Sequence, residues 1–175
     1  ENKIMSSLEV IKPLPENVDI KVVLFDFDGT ISTLRQGWEQ IMAPLMIEMI
    51  SGSRQPGSRL KEEVREYINE STGIQTIYQM QWLEKKVAEY GWNQDVLDAW
   101  DYKEEYNNRL LQMVNDRIEK VETGEKEPEE FMIKGSYRLL EKLQARGYQL
   151  YLASGTDHPD VVHETEVLGV KDFFV

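Results

Sequence analysis

The sequence VVLFDFDGT, at residues 22–30, joins an apolar segment to a turn that carries two carboxylates. The run from Ile20 to Asp26 is almost continuously apolar, which is typical of a strand buried on both faces in a parallel sheet. Asp28 follows two residues later, and Gly29 permits a sharp turn. Because ligands bind at the carboxyl ends of strands in an open α/β sheet, we expect both carboxylates to face one pocket.

Two carboxylates this close favour phosphoryl-transfer chemistry. Mg²⁺ would neutralise their repulsion and bind phosphate oxygens, one carboxylate could attack phosphorus, and the other could act as general acid and base. A β-hairpin turn at Asp28 and Gly29 is the first alternative, but the segment that follows is helix-like. A calcium loop is the second, but Ile31 stands where glycine is needed and Gly37 where glutamate is needed.

The rest of the chain predicts an α/β protein with an all-helical insertion. Helices are predicted at residues 36–50, 60–70, 75–90 and 93–121, with Asn93 as the N-cap of the last. An acidic linker is predicted at 123–130, a helix at 133–146, a second buried strand at 148–153, a helix at 159–168 and the start of a third strand at 171–175. Residues 1–17 are predicted to form an extension without regular structure.

These segments predict a Rossmann-like parallel-sheet core, formed by residues 1–33 and 123–175, and a four-helix domain inserted at 34–122. The chain has no cysteine, which excludes disulfides, thiolate metal ligands and a cysteine nucleophile. A net charge of −12 disfavours nucleic-acid partners. No apolar run approaches the roughly 20 residues of a membrane helix, so we expect no membrane partner. The absence of cysteine fits a reducing compartment, and the expected location is cytoplasmic. The sequence does not indicate an oligomeric state.

The stretch FDFDGT, after three apolar residues, resembles the first motif of the haloacid dehalogenase (HAD) superfamily. The sequence LYLAS at residues 150–154 resembles the second motif. The helical insertion lies where that superfamily carries its C1-type cap domain. The resemblance covers roughly residues 21–175. It implies an α/β core in which the inserted helices cover the active site.

The resemblance implies a distinct role for each aspartate. Asp26 matches the nucleophile, which is also a magnesium ligand. Asp28 matches the general acid and base, and its main-chain carbonyl would be a further magnesium ligand. The dehalogenase branch lacks a carboxylate at the position of Asp28, and the phosphonatase branch has a small residue there. The resemblance therefore implies a phosphatase or a phosphomutase.

The same resemblance implies that Ser154 donates a hydrogen bond to the transferring phosphoryl group. The main-chain N–H groups of Phe27 and Gly155 are expected to help hold that group. The alternative for Ser154 is a hydroxyl that stabilises a turn, in which case Thr156 would make the phosphoryl contact. Arg35 is a further candidate for substrate binding, since it lies where the chain leaves the core for the inserted helices.

Other candidates rest on weaker signals. The loop TGIQT at residues 72–76 separates two predicted helices and could face the active site; the alternative is an ordinary helix end followed by a helix start. Arg54 and Arg59 flank a glycine-proline loop and could meet an anion, with a solvated loop as the alternative. His158 could approach the pocket, but its distance from His163 along the chain does not suit a shared metal.

The family pattern is incomplete before Val175. It requires a lysine and a further acidic motif after the second motif, and Lys171 follows Ser154 too closely to match. We therefore expect the sequence to be a piece of a longer enzyme. That piece alone would bind Mg²⁺ poorly and turn over slowly.

The sequence-based function is a Mg²⁺-dependent phosphatase that hydrolyses a small phosphorylated metabolite through an aspartyl-phosphate. One alternative is a sugar-phosphate mutase, which would use Asp26 and Asp28 but protect the aspartyl-phosphate from water. The other alternative is a non-catalytic binding or scaffold protein, or an inactive fragment. Free phosphate as product would indicate the phosphatase, and an isomerised sugar phosphate would indicate the mutase.

Overall fold

The computed structural model describes residues 11–12 and 18–175, so most of the extension predicted at residues 1–17 lies outside the described residues. Two strands, β1 and β2, and six α-helices, α1–α6, make up the described part. They are β1 (Val22–Asp26), α1 (Glu39–Ser51), α2 (Ser58–Glu70), α3 (Thr76–Tyr90), α4 (Ala99–Glu122), α5 (Ser136–Ala145), β2 (Gln149–Ala153) and α6 (His158–Val167). Short 3-10 helices occur at Pro128–Phe131 and Lys171–Phe173. The architecture is α/β.

The two strands pair in parallel, with Val22 opposite Gln149 and Asp26 opposite Ala153. The prediction that β1 is buried on both faces is wrong for the described residues, because Leu24 is 66% exposed and Val22 is also exposed. Successive side chains of a strand point to opposite faces. Val23 packs against the core, while nothing in the described part of the chain covers the opposite face.

Five α-helices, α1–α5, separate the two strands in sequence. Helix α1 packs against α2, α3 and α4, helix α3 packs against α4, and α4 also contacts α6. The first helix begins three residues later than predicted, at Glu39 rather than residue 36. Gly37 explains this delay, because its φ of 92° lies in the left-handed region and cannot belong to the helix.

The prediction that Asn93 caps the fourth helix is wrong. Helix α4 starts after Asp98, whose side chain accepts hydrogen bonds from the main-chain N–H groups of Trp100 and Asp101. Asn93 instead donates its amide to the carbonyl of Met49, 2.9 Å away. The side chain of Asn93, which the sequence pattern predicted to cap α4, therefore makes a tertiary contact with α1.

The strand predicted to start at residues 171–175 is formed only at its end. Lys171–Phe173 is a 3-10 turn, in which Phe173 N–H donates to the carbonyl of Val170. Beyond that turn only a single bridge joins Phe174 to Leu150 of β2. The turn uses the hydrogen bonds that a longer strand pairing would need.

The chain leaves the strands for the helices and returns to them at one place. Ser32 and Met132 form an antiparallel bridge. On either side of this bridge Thr33 N–H donates to the carbonyl of Phe131 at 2.8 Å, and Ile133 N–H donates to that of Ile31 at 2.9 Å. The outgoing and returning segments are therefore hydrogen-bonded neighbours.

One hydrophobic cluster runs through the described part of the molecule. It contains Phe27 from the turn after β1, Leu45, Leu83 and Val114 from the inserted helices, and Leu150 from β2. The turn that carries the two aspartates is thus anchored in the core. Among the helices of the described part, none combines the length and apolar character that crossing a membrane requires.

Candidate active site

The two sequence motifs meet at the carboxyl ends of the strands. Asp26 ends β1 directly opposite Ala153, so the loops that follow the two strands start side by side. One carboxylate oxygen of Asp28, Oδ2, accepts hydrogen bonds from Thr156 Oγ1 at 2.8 Å and from Ser154 Oγ at 3.3 Å. The structure therefore brings Asp28 of the first motif together with Ser154 and Thr156, which were predicted from the second motif.

The turn after β1 is held by its own main chain. The carbonyl of Phe27 accepts hydrogen bonds from the N–H groups of Thr30, Ile31 and Ser32. Phe27 and Ile31 are fully buried, which fixes the turn to the core. Gly29 has a φ of 77°, a conformation that other residues rarely adopt. This geometry directs the side chain of Asp28 towards the loop after β2.

The remaining carboxylate oxygens of the pair have few partners. Asp26 Oδ2 accepts one hydrogen bond, from Thr30 Oγ1 at 3.2 Å. Asp28 Oδ1 is buried and has no hydrogen-bond partner among the described residues. A buried polar atom left without a partner costs roughly 1–3 kcal/mol, and more when it is charged. Such an oxygen suits a position that a cation or a bound ligand completes.

The oxygen donors at this turn fit Mg²⁺. The carboxylates of Asp26 and Asp28 are hard oxygen ligands, and the main-chain carbonyl of Asp28 accepts no backbone hydrogen bond in the described part. Mg²⁺ is commonly held by one or two carboxylates together with substrate phosphate oxygens. No group of three or more His, Asp or Glu side chains within residues 18–175 could hold a metal ion. Among the described residues, only the oxygens of Asp26 and Asp28 are candidate ligands at this turn, and Mg²⁺ binding there remains a prediction.

The predicted phosphoryl contacts are placed as follows. Ser154 Oγ accepts a hydrogen bond from Thr156 N–H at 3.0 Å and donates to Asp28, so its hydroxyl stabilises the turn. Gly155 and Thr156 line the cavity described below, whereas Ser154 does not. Phe27 contributes only its main chain, because its side chain is buried. Its role and that of Ser154 in binding phosphate remain predictions.

Arg35 reaches the site but is already paired. Its guanidinium donates to Glu164 Oε1 from Nε at 2.9 Å and from a terminal nitrogen at 2.6 Å, and to Asp160 at 3.2 Å. Burial raises the pKa of Glu164 despite the opposing effect of Arg35. Neither acid stands out in the sequence, although their spacing of four residues on α6 places them on one helix face.

A cavity of about 410 Å³ lies between the strand ends and helices α3 and α4. This volume is within the range of small-molecule sites. The loop predicted at residues 72–76 contributes Thr72, Gly73, Ile74 and Thr76. The lining residues that sequence analysis missed are Trp38, Gln79, Lys103, Tyr106, Asn107, Leu110, Asp157 and Asp160.

Helix α4 supplies one wall of the cavity. Lys103, Tyr106, Asn107 and Leu110 recur at helical spacing and so share a face. That spacing is visible in the sequence, but it does not tell which surface the face meets. The ammonium of Lys103 donates to both carboxylate oxygens of Asp157, each at 3.1 Å. Burial raises the pKa of the Tyr106 phenol far above its usual range, so the phenol remains protonated.

The other basic candidates lie away from this cavity. None of the following side chains lines it: Arg54, Arg59, His158, His163 and Lys171. The guanidinium of Arg54 lies over the ring of Trp92, and Lys171 pairs with Glu166. Both histidines are exposed on α6. These contacts favour the structural alternatives for these residues.

The family can be assigned by comparison. The family described as haloacid dehalogenase-like hydrolase matches residues 20–175, so the chain belongs to this family of hydrolases. No curated protein matches the chain. Among solved structures it is similar to a putative phosphatase from Clostridium difficile, with 14% sequence identity and a TM-score of 0.40. The match covers 89% of this chain but only 58% of that protein.

Proposed function

We propose that this protein is a Mg²⁺-dependent phosphatase that hydrolyses a small phosphorylated metabolite through an aspartyl-phosphate on Asp26. The observation that carries the proposal is the pair of Asp26 and Asp28, which both line the cavity at the carboxyl end of β1. Family membership supports hydrolysis. A carboxylate at Asp28 supports phosphate chemistry, since it can protonate an alkoxide leaving group.

In the first proposed step, a carboxylate oxygen of Asp26 attacks phosphorus and the bond from phosphorus to the ester oxygen breaks. Asp28, in its protonated form, gives its proton to that departing oxygen. The alcohol leaves, and the phosphoryl group stays on Asp26. The hydrogen bonds from Thr156 and Ser154 hold the Asp28 carboxyl in one orientation during this transfer.

In the second step, Asp28 removes a proton from a water molecule, whose oxygen attacks the same phosphorus atom. The bond between phosphorus and Asp26 breaks, which releases inorganic phosphate and restores both side chains. Mg²⁺, when bound by Asp26 and Asp28, neutralises their charge and that of the phosphate, which otherwise repel one another. The main-chain N–H of Gly155, beside the cavity, is a candidate donor to the phosphoryl oxygens.

We also propose that residues 34–122 act as a cap domain over a core formed by residues 1–33 and 123–175. Two features support this division: the helices contribute a wall of the cavity, and Ser32, just before the insertion, bridges to Met132 in the segment that follows it. Closing a cap over substrate excludes bulk water and strengthens electrostatic interactions in the site.

The proposal is tested by replacing each aspartate in the full-length protein. Asp26→Asn removes the nucleophile and is expected to abolish release of phosphate from p-nitrophenyl phosphate. Asp28→Asn is expected to lower kcat by roughly 10²–10⁴-fold, because proton transfer is lost. Chelation of divalent cations should abolish activity, and added Mg²⁺ should restore it.

Asp116→Asn is the matched control, since Asp116 is exposed on α4 and makes no side-chain hydrogen bond within residues 18–175. Its activity should equal that of the unmodified protein. Full activity of Asp26→Asn would overturn the proposal and favour a non-catalytic role for this site. An isomerised sugar phosphate, in place of free phosphate, would identify the mutase instead.

A further inference from the structure

We infer that the cavity selects phosphate esters whose leaving group is neutral, hydroxyl-rich and of sugar or polyol size, and that Tyr106 and Asn107 of α4 bind its hydroxyl groups. The inference rests on the proposed phosphatase function and extends it to the substrate class. Three properties of the cavity carry it: two polar side chains without partners, the pairing of both cations, and an apolar surface beside them.

The polar side chains come from adjacent positions on α4. Tyr106 is only 4% exposed and lines the cavity, yet its hydroxyl makes no hydrogen bond to any described residue. Asn107 also lines the cavity, and its amide has no hydrogen-bond partner in the described part. Both groups are therefore free to hydrogen-bond a ligand in the cavity, and a ligand that offers partners to both is favoured.

Both cations of the cavity wall are already neutralised. Arg35 is paired with Glu164 and Asp160, and Lys103 is paired with Asp157. The lining includes four carboxylates against these two cations. Bound Mg²⁺ would offset the two carboxylates of the catalytic turn, and the phosphate itself then adds negative charge. Among the residues that the structure describes, a second anionic group on the substrate would therefore meet no unpaired cation of the cavity wall and would be repelled.

The same cavity offers an apolar surface to the carbon skeleton of the leaving group. The half-buried Trp38, together with Ile74 and Leu110, lines it. Sugars and polyols combine carbon-bound hydrogens, which pack on such surfaces, with hydroxyls that can bond to Tyr106 and Asn107. Small-molecule sites commonly have this combination of apolar walls and a few placed polar groups.

The first test compares two substrates that differ at one group. A hexitol phosphate and the phosphate of the corresponding sugar acid have the same carbon chain, but the acid carries a carboxylate in place of a terminal hydroxyl. With the full-length protein and Mg²⁺, we expect kcat/KM to be at least about tenfold higher for the hexitol phosphate, a difference of about 1.4 kcal/mol. Equal rates, or a preference for the acid, would overturn the inference.

Two further substrates separate the possible failures. If p-nitrophenyl phosphate is hydrolysed but sugar and polyol phosphates are not, the substrate class is wrong while the phosphatase proposal stands. If a nucleoside monophosphate is preferred over every sugar and polyol phosphate, the substrate class is likewise wrong. If no phosphate ester is hydrolysed, the phosphatase proposal itself fails, and the inference fails with it.

The second test addresses the two residues. Tyr106→Phe removes only the hydroxyl, and Asn107→Ala removes the amide; each should lower kcat/KM for the preferred sugar phosphate about tenfold, mainly through a higher KM. The loss on p-nitrophenyl phosphate, which has no aliphatic hydroxyl, should be smaller. Asn108→Ala is the matched control, because Asn108 is the exposed neighbour on the same helix, and its kinetics should not change.

Equal losses on both substrates in both variants would contradict the assignment of these residues to hydroxyl binding. Circular dichroism and thermal unfolding establish that each variant folds. If Tyr106→Phe does not fold, the kinetics of Asn107→Ala, at a half-buried position, decide whether α4 binds the substrate hydroxyls. An unchanged KM for the sugar phosphate in a folded Asn107→Ala variant would then refute the inference for that residue.

Discussion

Asp28 has one carboxylate oxygen with two donors and another with none. The donor from Thr156 lies at 2.8 Å and the one from Ser154 at 3.3 Å, so the contact with Thr156 is the stronger. Ser154 also accepts from Thr156 N–H. The loop after β2 therefore positions the carboxyl of Asp28 chiefly through Thr156.

This asymmetry gives a prediction for two hydroxyls. Thr156→Val keeps the shape of the side chain but removes its donor, and we expect kcat to fall by about tenfold, the effect of roughly one lost hydrogen bond to a charged group. Ser154→Ala should have a smaller effect. Steady-state kinetics with one substrate measure both. The reverse order would show that Ser154 has the phosphoryl contact that the family resemblance implies.

At the scale of single residues, the local signal determined what could be predicted. Asp26 and Asp28 stand out because they are two positions apart, directly after a strand-like apolar run and before a glycine. Tyr106 and Asn107 carry no such signal. Their position in the cavity depends on how α4 lies across the strand ends, and a helix sequence does not contain that information.

At the scale of secondary-structure elements, α2 and α3 are joined by two polar contacts and an aromatic one. Glu63 of α2 pairs with Lys86 of α3 at 2.8 Å and accepts a hydrogen bond from Tyr90 at 2.6 Å. Tyr67 and Trp82 stack with ring centroids 3.9 Å apart. These contacts hold α2 against α3, and α3 lines the cavity through Thr76 and Gln79.

The charge on Glu63 should make stability depend on pH. The hydrogen bonds from Lys86 and then Tyr90 lower the pKa of Glu63 in the folded state. A lowered pKa means that the stabilisation is present above the ordinary glutamate pKa and is lost as pH falls through the folded value. We expect Glu63→Gln to reduce the free energy of unfolding at neutral pH by up to about 1 kcal/mol, and this difference to shrink in acid.

Urea denaturation between about pH 6 and pH 3 measures this change, with the range set by the ordinary glutamate pKa of about 4.3. Glu66→Gln is the control, since Glu66 is exposed on the same helix and makes no side-chain hydrogen bond within the described residues. A difference between Glu63→Gln and the unmodified protein that is the same at every pH would contradict the prediction.

Element types were predictable because helical periodicity and strand-like apolar runs are local. Their boundaries and surroundings were not. Asn93 satisfies a distant carbonyl of α1, so the cap of α4 falls to Asp98 instead. The apolar β1 suggested burial on both faces, yet Leu24 is exposed, because burial depends on what packs against the sheet.

At the scale of the whole molecule, two ion pairs join the inserted helices and their connecting segment to α6. Arg35, in the segment that leaves β1, pairs with Glu164, and Lys103 of α4 pairs with Asp157 at the start of α6. The pair of Arg35 and Glu164 is the more buried, with only 1% of the Glu164 side chain exposed. We expect this pair to fix the position of α6 relative to the cavity.

Removing one partner of a buried pair leaves the other charge uncompensated. Glu164→Ala should therefore lower the free energy of unfolding by about 3–5 kcal/mol, reduced somewhat because Asp160 still contacts Arg35. Glu164→Gln should cost less, since its amide oxygen can still accept from Arg35. Urea denaturation measures both changes.

The control for this comparison is Glu166→Ala on the same helix, where the exposed pair with Lys171 should contribute little. If Glu164→Ala and Glu166→Ala have equally small effects, the buried pair does not stabilise the fold. A larger cost for Glu164→Gln than for Glu164→Ala would contradict the prediction, because glutamine keeps both the shape of the side chain and an acceptor for Arg35.

The bridge between Ser32 and Met132 has a consequence for how such a protein can change over evolution. Since the outgoing and returning segments are already hydrogen-bonded to one another, the chain connects the helices to the strands through one pair of neighbouring segments. A different helical unit could be exchanged there by recombination without altering the register of β1 and β2. New specificities could thus be acquired while the pair of aspartates stays in place.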